Sequence, residues 1–264
     1  MSLPKPNADT PVVITGASSG IGTEIARGLG RRGYPLLLVA RRRERLDRLA
    51  NELRGTHSVT VDVIPLDLND SAARAQMIER ISGEAVAGLV NSARFGTSGP
   101  FQSLPLERER EEVIVNALAL MELTHAALPE MIDRGAGAVL NIASIAGFQP
   151  TLGAAFYSAT NAFVQTFSEA VHEELHGTGV SCTVLSPGPV PTEWWEIAGA
   201  RSVSIGQMSP RNVAEAAIAG MLEGKCSVVP RPVPKVTGLG GRFTPRRVLL
   251  PALRNAASQR DRRA

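Results

Sequence analysis

The stretch of this chain best equipped for chemistry is TGASSGIG, residues 15–22. Gly16, Gly20 and Gly22, with Ser18, Ser19 and Ile21 among them, separate an apolar β-branched run, PVVIT, from a segment in which Ile21, Ile25 and Leu29 repeat at helical spacing. Glycine at such a turn lets the backbone take positive φ, and small side chains let it approach a phosphate. The helix that follows offers free N–H groups and partial positive charge. The pattern predicts a seat for a dinucleotide pyrophosphate. Two rivals fail. Gly16-Ala-Ser18-Ser-Gly20 also fits the G-x-S-x-G elbow of a serine hydrolase, but that elbow needs earlier strands and a later histidine, and none follows His176. His57, His125, His172 and His176 read as surface residues. A Walker loop is excluded because no Lys-Ser/Thr follows the glycines.

A second chemical signal stands at Arg41-Arg42, where the next strand ends. An NAD-binding chain usually places an acid here to hold the ribose hydroxyls; a guanidinium instead matches a 2′-phosphate with planar, charge-assisted hydrogen bonds. NADP(H) is therefore expected in preference to NAD(H).

The elements that must hold these groups alternate along the chain. Strand YPLLLVA is followed by helix RRRERLDRLANELR, whose Leu46, Leu49, Ala50 and Leu53 share one stripe. Then come strand SVTVDVIPL, a helix over 70–82, strand AGLVN, a long helix over about 105–133, and strand GAVLNIAS. A helix over about 156–176, strand VSCTVLS, a helix over about 209–223 and strand CSVV complete the series. Strands and helices in this order predict an α/β fold: a single Rossmann-type doubly wound domain, with a parallel sheet of about seven strands and helices on both faces. Residues 188–208, with Pro189, Pro191, Trp194 and Trp195, lack long periodicity and follow a strand's carboxyl end. They read as a substrate lid. The domain is expected to span 1–230, and residues 231–264 form a basic C-terminal extension whose Pro- and Gly-rich start (230–244) reads as a linker.

With 264 residues, 44% of them hydrophobic, the chain can build one large core. Cys182 and Cys226 are too few for a disulfide framework; Cys182, in an apolar run, reads as a buried thiol, and neither is a metal candidate. No apolar run approaches the roughly 20 residues of a membrane span, and MSLPKPNADT lacks the features of a secretory signal. A cytoplasmic location is expected. The net charge of +3 is unevenly spread: residues 231–264 carry nine Lys/Arg against one Asp. Val248, Leu249, Leu250 and Leu253 lie among these arginines, so the tail is expected to pack on the body or on another subunit. Peripheral contact with anionic lipid is the alternative, and nucleic acid ranks below both. Pro251 is expected to interrupt a continuous amphipathic helix.

Over roughly residues 10–230 the sequence resembles the short-chain dehydrogenase/reductase family. TGASSGIG is similar to its TGxxxGxG loop, and Asp67-Leu68 to its adenine-contacting acid after the third strand. Asn91-Ser92-Ala93-Arg94 stands in place of its Asn-Asn-Ala-Gly. The resemblance implies that Asn116 anchors a water, that Ser144 and Tyr157 are the catalytic serine and tyrosine, and that Pro187, Gly188, Val190 and Thr192 flank the nicotinamide. It also implies a homo-oligomer, dimeric or tetrameric, and hydride transfer between nicotinamide C4 and a carbonyl carbon while Tyr157 exchanges the proton on oxygen. Phe95, Phe148, Phe156, Trp194 and Trp195 point to an apolar carbonyl or alcohol substrate, or equally to core packing.

The chain departs from the family twice. The family follows its tyrosine with a lysine four residues later, which favours the phenolate and holds the nicotinamide ribose; here the position is Asn161. Asn161 can still bond a ribose but carries no charge. An ammonium about 5 Å away is worth roughly 3 kcal/mol to a phenolate at an effective dielectric near 20. The second departure is Arg94, a permanent cation where the family has glycine. Its guanidinium is expected either to reach Tyr157 or the cofactor and partly replace the missing ammonium, or to point to solvent or a cofactor phosphate. Without that replacement, the chain reads as a catalytically impaired NADP(H)-binding protein serving as a sensor or assembly partner.

Overall fold

The computed structural model describes residues 3–200, 206–230 and 244–261. Strands β1 (Val12–Thr15), β2 (Leu36–Ala40), β3 (Val61–Pro65), β4 (Gly88–Asn91), β5 (Gly137–Ile142), β6 (Val180–Leu185) and the short β7 (Ser227–Val228) form one sheet in the order β3-β2-β1-β4-β5-β6-β7. Every pairing is parallel. This is the doubly wound sheet expected from the alternation.

Side-chain alternation along each strand divides the core in two. Val12, Ile14, Leu36 and Leu38 face the layer of α1 (Gly20–Gly30), α2 (Arg43–His57) and α8 (Pro210–Glu223), where Ile25, Leu46 and Ile218 meet them. Val13, Leu37, Val39 and Val139 face the opposite way, against Met77 and Ile81 of α3 (Ser71–Gly83) and Leu123 and Met131 of α5 (Leu120–Arg134). Strands buried on both faces need continuous apolar runs, which is what VVIT and LLLVA supply. Cys182 lies in the second core, and burial pushes its thiol up to about 12, so it is an inert packing residue. Helix starts and stops follow local chemistry: the Asp70 carboxylate caps α3, Ser209 caps α8, and α5 and α8 end at Gly135 and Gly224 in the left-handed conformation.

Two elements differ from expectation. The long helix of about 105–133 is divided: α4 (Leu106–Val113) passes into a π-helical turn, Ile114–Ala119, before α5 continues. Asn116 sits in that turn. At the C-terminus, α9 (Arg246–Asp261) runs through Pro251 instead of stopping there. Pro251 is exposed, so water can take up the carbonyl that its missing N–H leaves unbonded. Between residues 188 and 208 the chain forms α7 (Trp194–Ile197), while 201–205, and 231–243 of the expected linker, lie outside the described residues.

β1 lies between β2 and β4, where the winding direction reverses. The carboxyl ends of β1 and β4 therefore open a crevice, the place where open α/β sheets hold ligands.

Candidate active site

The phosphate loop leaves β1 with Gly16 at φ 66° and enters α1 with Gly20 at φ 57°. Any Cβ on Gly16 would sit 2.6 Å from the Ala93 nitrogen, and one on Gly22 would sit 2.5 Å from the Gly16 carbonyl oxygen, so neither position accepts a larger residue. Thr15 ties this loop to the segment after β4. Its hydroxyl donates to the Val90 carbonyl (3.3 Å) and accepts from the amides of Ser92 (3.0 Å) and Ala93 (3.1 Å). Ser19, at the start of α1, makes no side-chain capping bond, and the first turn contains no acid. The helix's positive end is thus left for an anion, and these residues fit a pyrophosphate.

From this loop a cavity of about 850 Å³ extends to Tyr157. Gly16, Ser18, Ser19, Gly20 and Ile21 line one end, with Arg41, Arg42, Asp67 and Leu68 beside them. Ala93, Arg94, Ser144 and Tyr157 line the other, facing Pro187, Gly188, Val190 and Thr192. Gly22, Asn91, Asn116 and Asn161 are not in the wall. The Asn91 amide is buried between strands, donating to Thr124 Oγ1 (3.1 Å) and Asn141 Oδ1 (2.9 Å). Asn116 holds the Phe95 backbone at both ends, donating to its carbonyl (2.8 Å) and accepting from its amide (3.1 Å). Of the aromatic residues, Phe95, Trp194 and Trp195 line the cavity, whereas Phe148 is buried and Phe156 packs on Phe101.

Tyr157 projects from the first turn of α6 (Ala155–Glu174). The Trp194 ring packs on it at 4.6 Å between centroids, and Gly96 makes room for both: a Cβ there would lie 2.5 Å from Trp194 and 2.9 Å from Tyr157. Ser144 precedes the 3₁₀ turn Ile145–Phe148 and accepts from the Ala146 amide (3.2 Å). Arg94 turns inward. Its guanidinium donates to the carbonyls of Ile142 (3.2 Å) and Ala143, at the end of β5, and to Asn161 Oδ1 (2.5 Å). Its Cζ lies 5.1 Å from the centroid of the Tyr157 ring. Asn161, 2% exposed, donates from Nδ2 to the Tyr157 carbonyl (2.6 Å). Arg94 and Asn161 are therefore direct partners.

Behind this wall lies a pair of carboxyl groups that no motif singles out. Glu109 and Glu112 are 2% and 0% exposed, and the Thr97 hydroxyl lies within hydrogen-bond reach of both, at 3.0 Å from Glu112 Oε2. The Thr97 amide also donates to that oxygen (3.1 Å). Burial, opposed by the Thr97 bonds and reinforced by the charge of Glu109, pushes the Glu112 carboxyl up to about 7; Arg94 draws it downward.

Just beyond β2, Arg42 donates to Ser18 Oγ (3.2 and 3.3 Å) and to Glu193 Oε2 (2.8 Å), and Arg45 also bonds Glu193. Arg41 is largely exposed and lies 3.8 Å from Asp67.

A parallel doubly wound sheet with a glycine loop at its switch point and a serine and a tyrosine across the same cavity defines a nucleotide-dependent oxidoreductase architecture. Residues 10–201 match the family model for short chain dehydrogenases, and the chain belongs to that family and is an oxidoreductase. It is 38% identical over 187 residues to sulfoacetaldehyde reductase 2 of Chromohalobacter salexigens, covering 69% of this chain and 73% of that protein. Among solved structures it is similar to a short-chain dehydrogenase from Sphingobium yanoikuyae in complex with NADPH (TM-score 0.82, 34% identity, 88% of this chain and 92% of that one). The bulky-bulky ketone specific alcohol dehydrogenase of Comamonas testosteroni superposes with TM-score 0.77 at 29% identity, covering 91% and 97%.

Proposed function

We propose that this protein is an NADP(H)-dependent oxidoreductase that interconverts a carbonyl and an alcohol, with Tyr157 as the acid/base. The observation that carries the reading is the Arg94 guanidinium, held 5.1 Å from the Tyr157 ring by three acceptors that include Asn161. A fixed cation beside the ring supports the part that the resemblance assigns to the family's lysine.

Within this reading the glycine loop and the amino terminus of α1 would hold the pyrophosphate, and Ser18 with Arg42 would hold the 2′-phosphate. A bound nicotinamide would supply the hydride chemistry. Tyr157 gives the proton to the substrate oxygen during reduction and takes it during oxidation, while the Ser144 hydroxyl donates to that oxygen as negative charge grows on it. Arg94 stabilises the phenolate that proton donation leaves. Asn161 acts as the clamp that keeps the guanidinium inward. Phe95, Trp194 and Trp195 on the cavity wall support an apolar substrate. The named substrates and ligands of the relatives, an aldehyde, a bulky ketone and NADPH, support carbonyl–alcohol interconversion with NADP(H).

The test is an NADPH fluorescence titration followed by a screen of apolar aldehydes and ketones, with Tyr157→Phe as the control. Binding and turnover are expected, with Tyr157→Phe lowering kcat about 10²–10⁴-fold. NADPH binding with no turnover across the screen would instead favour a non-catalytic cofactor-binding role. Unchanged turnover in Tyr157→Phe would remove the tyrosine from the chemistry.

A further inference from the structure

Three consecutive residues after β6 connect both ends of the cavity. Thr192 lies on the phosphate loop, its methyl 3.1 Å from where a Gly20 Cβ would be. Trp194 packs on Tyr157. Between them, Glu193 reaches the other way and binds Arg42 (2.8 Å) and Arg45. The two guanidiniums, Arg42 first, hold its carboxyl below the usual carboxylate range, so it is an anion at neutral pH. All three side chains are between 37% and 38% exposed, so the cluster is open to a ligand from solvent.

Arg42 presents its Nε and one terminal nitrogen to Ser18, and its other terminal nitrogen to Glu193. A 2′-phosphate held by Ser18 and Arg42 would need the charge, and part of the donor set, that Glu193 already uses. Two anions cannot share these donors without repulsion. A nucleotide with free 2′- and 3′-hydroxyls makes no such demand.

We infer that Glu193 is a specificity-determining residue: its carboxylate occupies the anion seat between Arg42 and Arg45, and it competes with the 2′-phosphate and narrows the preference for NADP(H) over NAD(H). This rests on reading Ser18 and Arg42 as the 2′-phosphate seat. Neither Arg45 nor Glu193 is marked by the sequence pattern, because 148 residues separate them.

Calorimetric titration of the full chain with 2′,5′-ADP and with 5′-AMP tests the inference without any turnover, since both fragments lack nicotinamide. Glu193→Gln keeps the side chain's shape and removes its charge. It is expected to tighten 2′,5′-ADP about tenfold, the worth of two partly exposed ion pairs, and to leave 5′-AMP unchanged within about twofold. Glu193→Ala, with the same sign expected, guards against a local effect of the amide. Unchanged or weakened 2′,5′-ADP binding in both variants overturns the inference, as does equal tightening of both fragments. Arg42→Ala separates this from the underlying reading: if it leaves wild-type affinity for 2′,5′-ADP intact, the seat itself is misassigned and the competition falls with it.

Discussion

The side chains of Arg94 and Asn161 bond each other beside Tyr157. If the guanidinium supplies the positive charge that the chemistry at Tyr157 uses, Arg94→Ala lowers kcat by about 10²-fold, the rate equivalent of roughly 3 kcal/mol. Asn161→Lys alone sets an ammonium against the guanidinium and is expected to impair the enzyme. In the Arg94→Ala background the same change is expected to restore activity. Steady-state kinetics on the four forms measures the coupling, and strictly additive effects would show the two sites to be independent. Glu112 gives a second prediction. Its carboxyl is raised from 4.5 to about 7, so the native state binds the proton more tightly than the unfolded chain. Its contribution is therefore most favourable below 4.5 and is lost as pH rises toward 7. Glu112→Gln removes that dependence. Urea unfolding is expected to find the variant about 2 kcal/mol more stable than wild type near pH 8.5, a gain that shrinks toward about pH 5. A pH-independent difference would place the ionisation elsewhere.

At the scale of elements, the site depends on turns that admit only small residues. Gly16 combines positive φ with an approach to the Ala93 nitrogen that a Cβ would bring to 2.6 Å. Gly16→Ala is therefore expected to separate the phosphate loop from the segment that carries Arg94 and to abolish NADPH binding in a fluorescence titration. Retained affinity would mean that the loop relaxes without cost. The π-helical turn at Ile114–Ala119 has a related positional role: it sets Asn116 where its amide grips Phe95, and so fixes the loop between Arg94 and Thr97. A periodic apolar pattern reads as one uninterrupted helix there, since a single extra residue in a turn leaves no mark on composition.

At the scale of the whole molecule, the basic tail lies beyond the residues that match the family model. In α9 Leu249 is 8% exposed, between Val248 at 56% and Leu250 at 47%. One leucine turned inward favours docking over a lipid-facing apolar stripe. Full-length protein and a chain ending at residue 230 are expected to float equally with anionic vesicles, and the shorter chain to melt at lower temperature. Stronger flotation of the full-length chain would assign the tail to the membrane surface.

The alternation of strands and helices, the glycine loop and the pair of arginines at the end of β2 were all legible in the residues, because each depends on local spacing or on two adjacent side chains. Which of those groups meet was not. Arg94 and Asn161 lie 67 residues apart, Thr97 and Glu112 15, and Arg42 and Glu193 151. Only the parallel sheet, by gathering the carboxyl ends of its strands along one edge, brings them into contact. Burial against that edge then decides which charges are paired, which carboxyl keeps its proton, and that Asn91 and Asn161 bond protein groups behind the cavity wall.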